Sequence, residues 1–75
     1  MLGKPKFNYG DKVSFEIDGE KLVGEIYIID RWGTFFDNSD VSYDIMVEND
    51  KRHGNLSCLY KHISERGVKK HEENT

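Results

Sequence analysis

The sequence predicts a small antiparallel β-barrel, and two adjacent segments near its start carry that prediction. Residues 10–17 open with a Gly-Asp turn pair and then alternate apolar with polar side chains, which is typical of a half-buried strand. Asp18-Gly19 follows as a two-residue hairpin signal, because this pair supplies the positive φ angles that a type I′ turn needs. A second strand with a glycine in its first half, Gly24, comes next.

The first two strands differ in their apolar pattern. Val13, Phe15 and Ile17 alternate with polar residues, so the first strand has one inner face. The second strand, about residues 21–30, carries apolar residues on both faces, which indicates burial on two sides or a bend. Gly24 is the expected position of the bend, because glycine tolerates bulges and close backbone approach.

The remaining strands are shorter and are separated by polar segments. A third strand is expected at about 42–48, and residues 49–54 form a solvated turn. A fourth strand is expected at about 55–60. The alternation breaks over 61–67, which favours a single 3₁₀ turn, and Val68 begins a short last strand.

Seventy-five residues accommodate one domain with a small core. We expect a flexible arm at residues 1–8, the barrel at 9–70 and a disordered tail at 71–75. The predicted core comprises Val13, Phe15, Ile17, Ile26, Ile28, Tyr43, Ile45, Val47, Leu56, Cys58 and Ile63.

Several short motifs resemble known protein groups. The Gly-Asp-Lys-Val-x-Phe segment at 10–15, with the later Gly-x-Ile at 24–26, resembles the opening hairpin of KOW and Tudor-like barrels. Together with Gly-Thr-Phe (33–35), Ser-Tyr-Asp-Ile (42–45) and Leu-Tyr-Lys-His-Ile (59–63), it is similar to small uncharacterised proteins of Gram-positive bacteria and their prophages. The resemblance implies an SH3-like barrel of about five antiparallel strands with a 3₁₀ turn before the last. It implies no activity, since a fold alone does not specify one.

The charge distribution is uneven along the chain. The net charge is −3, with +2 on residues 1–12, −8 on residues 13–50 and +3 on residues 51–75. In a small barrel the two chain ends often lie close together, so the basic ends would form one face. A nucleic acid is then the alternative partner, contacted through Lys4, Lys6, Lys12, Lys69 and Lys70. The negative total disfavours it, and solvated ends are the commoner role for such lysines.

An aromatic connector is the leading candidate site. In SH3-like barrels the loops between early strands build the ligand groove, and aromatic side chains there stack on peptides or bases. The alternative is that the phenylalanines cap one end of the core. The predicted groove residues are Trp32, Phe35, Phe36, Tyr27 and Tyr60, with Asp37 and Asp40 forming an acidic edge that favours a basic partner.

Metal binding and catalysis are not expected. The acidic connector around Asp37 and Asp40 lacks the glycine and closing glutamate of a calcium loop. Cys58 and His62 lie four residues apart, but a zinc site usually has paired cysteines or histidines, so Cys58 is interpreted as a buried thiol. The sequence offers three histidines but nothing that positions one as a base beside Cys58, so it predicts neither an enzyme nor a bound cofactor.

The predicted function is therefore a non-catalytic binding module that recognises a protein or peptide through the aromatic groove. A nucleic-acid-binding barrel or a small prophage regulatory or structural factor are the alternatives. A single cysteine, no export signal and no apolar run of membrane-spanning length predict a cytoplasmic protein away from membranes. The oligomeric state stays open.

Overall fold

The computed structural model describes residues 4–31 and 41–71, which form one five-stranded antiparallel sheet. Two 3₁₀ helices complete the secondary structure of this part of the chain, and the second precedes the last strand. The predicted all-β class is confirmed. The elements are β1 (Lys12–Ile17), β2 (Glu20–Asp30), β3 (Ser42–Asp50), a 3₁₀ helix (Lys51–His53), β4 (Leu56–Ser64), a 3₁₀ helix (Glu65–Gly67) and β5 (Lys69–Lys70).

The strands follow the order β4-β3-β2-β1-β5, and each neighbouring pair is antiparallel. β1 to β4 form a meander, and β5 returns to the free edge of β1. Over the described residues no ladder joins β4 to β5, so the sheet is compatible with a small barrel but is not closed.

The first hairpin forms as its sequence predicts. Ile17 pairs with Glu20, and the two residues between them, Asp18 and Gly19, have φ angles of 52° and 80°. Both values lie in the left-handed region that a type I′ turn requires, and aspartate and glycine are residues that adopt it at low cost.

The core lies on one side of the sheet, and most of its members were predicted. Val13, Phe15, Ile26, Tyr43, Ile45 and Val47 are buried, with Ile17 and Ile63 packed beside them. Leu22, Val41 and Val68 are also buried, although the prediction omitted them. Leu22 follows directly from the register, because it pairs with Phe15 across the first hairpin and cross-strand partners share a face.

Two predicted core residues are exposed, and irregular strand pairing explains the first of them. Ile28 is 45% exposed, because an extra residue, Tyr27, shifts the register of β2 against β3 and turns Ile28 outward. Leu56, the first residue of β4, is 70% exposed. The register shift beside it adds a residue to β3, so it does not change the face of Leu56. A one-residue shift moves a side chain to the other face of a sheet, and strict alternation does not show where that occurs.

The second half of the chain also departs from its predicted boundaries. Residues 49–54 are not simply a solvated turn, because Asp50 is buried and residues 51–53 form the first 3₁₀ helix. β4 continues to Ser64 rather than ending at residue 60, with a positive φ of 59° at His62 inside it. The predicted 3₁₀ turn therefore spans only Glu65–Gly67.

Gly24 is required by close packing rather than by a bend. A Cβ atom at this position would lie 2.4 Å from the Met46 carbonyl oxygen and 2.7 Å from the Ile45 Cγ2 atom. Neither distance is compatible with a side chain, so β2 and β3 approach this closely only because residue 24 is glycine. The bulge itself lies three residues later, at Tyr27.

Phe7, which precedes β1, packs against the core. The Phe7 ring meets the buried Tyr43 ring edge-on, with 5.6 Å between centroids. The Tyr43 hydroxyl donates to Glu65 Oε2 at 2.5 Å, and the Lys6 backbone N–H donates to the same oxygen at 3.1 Å. Burial, then the hydrogen bond to Glu65, raises the pKa of Tyr43 far above its usual value, so the hydroxyl remains a donor. Within the described ranges, no helix has the length and apolar character needed to cross a membrane.

Candidate functional site

An exposed apolar row runs along β2 and is named here the β2 face: Val23, Tyr27 and Ile28. Their exposed fractions are 39%, 59% and 45%. Glu25 of β2 pairs with Met46 of β3, and Ile28 of β2 pairs with Asp44 of β3. Val23 is two residues from Glu25 along β2, and Asp44 is two residues from Met46 along β3. Side chains two apart on a strand share a face, so Val23, Glu25 and Ile28 lie on the same outer side of the sheet.

Acidic side chains border the β2 face on its β3 side, whereas Lys12 of β1 pairs with Glu25 on the other side. Glu25 lies between Val23 and Ile28, Asp44 is the cross-strand partner of Ile28, and Glu48 continues the same face of β3. Next to Val23 the sheet holds a shallow pocket of about 180 Å³. Its lining combines apolar and acidic groups with two basic residues: Lys12, Val23, Gly24, Glu25, Met46, Glu48 and His71.

Only part of the predicted aromatic groove lies within the described residues. Tyr27 is exposed at the bulge of β2. Tyr60 instead packs edge-on against Phe15 of the core, with 5.4 Å between ring centroids, and its hydroxyl bonds to Asp50. The two tyrosines thus contact different parts of the molecule. The other predicted groove residues, Trp32, Phe35, Phe36, Asp37 and Asp40, lie outside the described residues.

The sheet brings some of the predicted basic residues together. β5 pairs with β1 so that Lys70 lies opposite Val13, and the His71 N–H donates to the Lys12 carbonyl at 3.0 Å. Lys69 and Lys70 therefore lie beside the start of β1, where Lys12 is found. Lys4 and Lys6 lie elsewhere, on the segment tied to Glu65, and Lys4 shares a surface hollow with Phe7 and Arg31.

The turn between β3 and β4 contains a polar group of four residues, named here the Asp50 cluster: Asp50, His53, Cys58 and Tyr60. Asp50 ends β3 and is the N-cap of the first 3₁₀ helix, where its Oδ1 accepts the Arg52 N–H at 3.0 Å. Its Oδ2 accepts the Tyr60 hydroxyl at 2.5 Å and lies 2.7 Å from His53 Nδ1. Every one of these contacts reaches a carboxylate that is 2% exposed.

The electrostatics of the Asp50 cluster follow from those hydrogen bonds. The Tyr60 hydroxyl, opposed by desolvation and aided by His53 and the Arg52 N–H, holds the pKa of Asp50 below its ordinary value. Burial, followed by the bond to Asp50, raises the pKa of Tyr60 to about 12. At neutral pH the cluster therefore contains an ionised carboxylate and a protonated phenol that donates to it.

Cys58 joins this cluster from β4. One ligand atom each from Asp50, His53 and Cys58 lie within 4.8 Å of one another. Sequence analysis placed Cys58 in the core as a buried thiol and found no zinc pattern in its spacing from His62. Cys58 is only partly buried, and the His62 backbone N–H donates to Asp44 Oδ1 at 3.0 Å. The signal that was missed is the register, because Val47 pairs with Cys58 and Asp50 with Leu56, which sets the end of β3 beside Cys58.

Arg52 links the two hairpin turns. Its guanidinium donates to the Ile17 carbonyl at 3.1 Å, to Asp18 Oδ2 at 2.8 Å and to Glu20 Oε2 at 3.2 Å. The hydrogen bond to Asp18 is the largest of the effects that raise the pKa of Arg52. Because both acidic partners are well exposed, water screens these ion pairs.

Comparison of the chain with protein-family models, curated proteins and solved structures finds no match. The likeness to SH3-like barrels therefore rests on the sequence motifs and on a sheet whose five antiparallel strands are compatible with a small barrel.

Proposed function

We propose that this protein is a non-catalytic binding module that recognises a basic protein or peptide segment through the β2 face. The observation that carries the proposal is the row of exposed apolar side chains at Val23, Tyr27 and Ile28. Large apolar side chains grouped on one exposed strand are a common feature of interaction surfaces. Aromatic residues such as Tyr27 contribute strongly at such surfaces, because they bury a large area with few rotatable bonds.

Charge complementarity supports a basic partner. Glu25, Asp44 and Glu48 border the β2 face, and residues 13–50 as a whole carry a net charge of −8. An acidic border steers positively charged segments toward the apolar row and disfavours acidic ones. A partner that places an apolar side chain between lysines or arginines would satisfy both features.

The aromatic groove predicted from the sequence extends the same proposal. Trp32, Phe35 and Phe36 follow in the chain shortly after Ile28, the last member of the β2 face. An SH3-like arrangement would use such a connector as one wall of a ligand groove, with Tyr27 as its neighbour on the sheet.

The proposal is tested by following backbone amide NMR signals during titration with synthetic peptides. The probe is an unstructured peptide containing one leucine flanked by lysines, and the comparison peptide carries glutamates in place of the lysines. We expect the lysine peptide alone to shift signals of β2 and β3. Shifts confined to β4 and β5, or equal shifts with both peptides, would contradict the proposal.

Two tyrosine variants form a matched pair for this titration. Tyr27→Ser removes the aromatic ring of the β2 face, whereas Tyr9→Ser removes a ring of similar exposure, 62% against 59%, from the segment that precedes β1. We expect Tyr27→Ser to weaken peptide binding roughly tenfold, as loss of an interface aromatic often does. Tyr9→Ser should bind as the unmodified protein does, and an equal loss in both variants would count against the β2 face.

A second candidate function, nucleic-acid binding, has one observation in its favour. The β1–β5 pairing sets Lys69 and Lys70 beside the strand that begins at Lys12. Phosphate contacts by these lysines would make binding of short DNA or RNA steeply dependent on salt. The expected result is loss of binding in a Lys69→Gln/Lys70→Gln double variant. The negative net charge makes this candidate the weaker one.

A further inference from the structure

We propose that Asp50, His53 and Cys58 form a binding site for Zn²⁺ at the turn between β3 and β4. The three side chains offer a carboxylate oxygen, an imidazole nitrogen and a thiol sulfur, and one atom of each lies within 4.8 Å of the others. Zinc is bound in proteins by these ligand types. The inference is independent of the β2 face, which uses other residues of the sheet.

The distances require only small side-chain adjustments for coordination. Bonds of about 2.0–2.3 Å in a tetrahedral zinc site set neighbouring ligand atoms roughly 3.3–3.8 Å apart. Here His53 Nδ1 lies 2.7 Å from Asp50 Oδ2, and the widest separation in the group is within 4.8 Å. The His53 side chain is half exposed, so rotation of its ring can lengthen the first distance.

The charges also fit a divalent ion. An ionised Asp50 and a Cys58 thiolate supply two negative charges, and a neutral His53 supplies none, so the bound Zn²⁺ would be neutralised. Cys58 would lose its proton to solvent as the zinc–sulfur bond forms. The nearby Arg52 guanidinium is directed at Asp18 and Glu20 rather than toward the ligands.

The backbone around the site holds the ligands in place from three elements. Asp50 ends β3, His53 lies in the 3₁₀ helix that Asp50 caps, and Cys58 lies on β4. Tyr60 donates to Asp50 Oδ2 and would orient the carboxylate, as hydrogen-bonded neighbours of metal ligands commonly do. Tyr60 is therefore a positioning residue rather than a ligand. Three protein ligands leave a fourth position for water or for a group from a partner.

The same contacts also have a purely structural interpretation. Asp50 caps the 3₁₀ helix and accepts from Tyr60 and His53 whether or not a metal binds. Cys58 distinguishes the two interpretations, because zinc coordination needs its thiolate and the hydrogen bonds to Asp50 do not. The experiment therefore reports on the cysteine sulfur directly.

The test is a titration of the reduced 75-residue chain, freed of metal by a chelator, with Co²⁺ as the spectroscopic substitute for Zn²⁺. We expect a thiolate-to-cobalt charge-transfer band and visible bands typical of tetrahedral cobalt, saturating at one ion per chain and removed by added Zn²⁺. Absence of the charge-transfer band at stoichiometric cobalt would overturn the proposal.

Four variants assign the ligands. Cys58→Ser should abolish the charge-transfer band, and Tyr60→Phe should weaken cobalt binding roughly 10–100-fold, as loss of a ligand-orienting hydrogen bond does. His53→Gln should weaken it more than Tyr60→Phe. His62→Gln, the matched histidine control, should bind as the unmodified protein does. A band that survives Cys58→Ser, or equal losses in the two histidine variants, would overturn the assignment.

A measurement on the unmodified protein guards against variants that fail to fold. Iodoacetamide alkylates the Cys58 thiolate, and bound Zn²⁺ should slow that reaction strongly by occupying the sulfur. An alkylation rate that does not change with added Zn²⁺ would refute the site without any substitution.

Discussion

The two hairpins of the sheet close by different means. Between β1 and β2 the chain reverses over two residues, and the Asp18 side chain is 81% exposed. Between β3 and β4 it uses a 3₁₀ helix, and the Asp50 side chain is fully buried beneath it. The first turn depends mainly on backbone preference and has only exposed side-chain contacts, from Arg52. The second depends on buried contacts between side chains from three elements.

The two turns differ in how well they can be recognised from the sequence. Asp18-Gly19 is recognisable because the preference for positive φ belongs to the two residues themselves. Asp50 looks like any polar turn residue, because its burial depends on Tyr60, ten residues later in the chain. Four predictions separate the two turns, beginning with the largest expected effect.

Matched Asp→Asn substitutions should affect the two turns very unequally. Asp50→Asn leaves one oxygen that can accept from the Arg52 N–H, but it puts a donor amide where Tyr60 and His53 both need an acceptor. We therefore expect the largest loss of unfolding free energy in this series. Asp18→Asn, at an exposed position where asparagine tolerates positive φ, should change it by no more than about 0.5 kcal/mol.

The measurement is urea unfolding followed by circular dichroism in the presence of a chelator. The chelator ensures that any loss reports on the hydrogen bonds and not on a bound metal. Similar shifts of the urea midpoint in the two variants would mean that Asp50 has no special role in the second turn.

The pH dependence of stability should follow Asp50. Its folded pKa lies below the unfolded value of 3.8, chiefly because Tyr60 donates to the carboxylate. A depressed folded pKa gives stability that is complete above the unfolded pKa and is lost as pH falls through the folded pKa. The unfolding free energy should therefore decline below about pH 4, and Asp50→Asn should flatten that decline. An undiminished decline in Asp50→Asn would assign it to other carboxylates.

Most of the fold follows from periodicity and turn chemistry. Alternation located β1 and most of the core, and the Asp-Gly pair located the first hairpin. Ile28 was misplaced because a strand bulge depends on the neighbouring strand and leaves no mark in alternation. Leu56 was misplaced because alternation does not show that the first residue of β4 is exposed.

Less of the two candidate sites could be predicted from the sequence. The sequence predicts Tyr27 as a groove residue, but the acidic border beside it depends on the β2–β3 register across the bulge. The approach of Cys58 to Asp50 and His53 depends on the irregular β3–β4 pairing, which residue spacing along the chain does not reveal.

A glycine substitution tests the backbone conformation that the first turn requires. Gly19 has a φ of 80° and no atom within 4 Å of an added Cβ, so Gly19→Ala introduces backbone strain without a steric clash. We expect a loss of about 1 kcal/mol in unfolding free energy. Gly67→Ala is the control, because that position is equally open and lacks a left-handed φ. Equal losses in both variants would show that φ at Gly19 is not what the turn requires.

The smallest loss of unfolding free energy is expected at Arg52, whose side chain links the two turns. Arg52→Gln removes the ion pairs to Asp18 and Glu20 but keeps the backbone N–H that Asp50 accepts, so the Asp50 cluster should survive. Exposed ion pairs are weak and screened, and the small loss of stability should shrink further at high salt. A double-mutant cycle of Arg52→Gln with Asp18→Asn, run at low and high salt, measures their coupling. Coupling that does not fall with salt, or a loss as large as that of Asp50→Asn, would mean that the two turns form one stabilising unit rather than two.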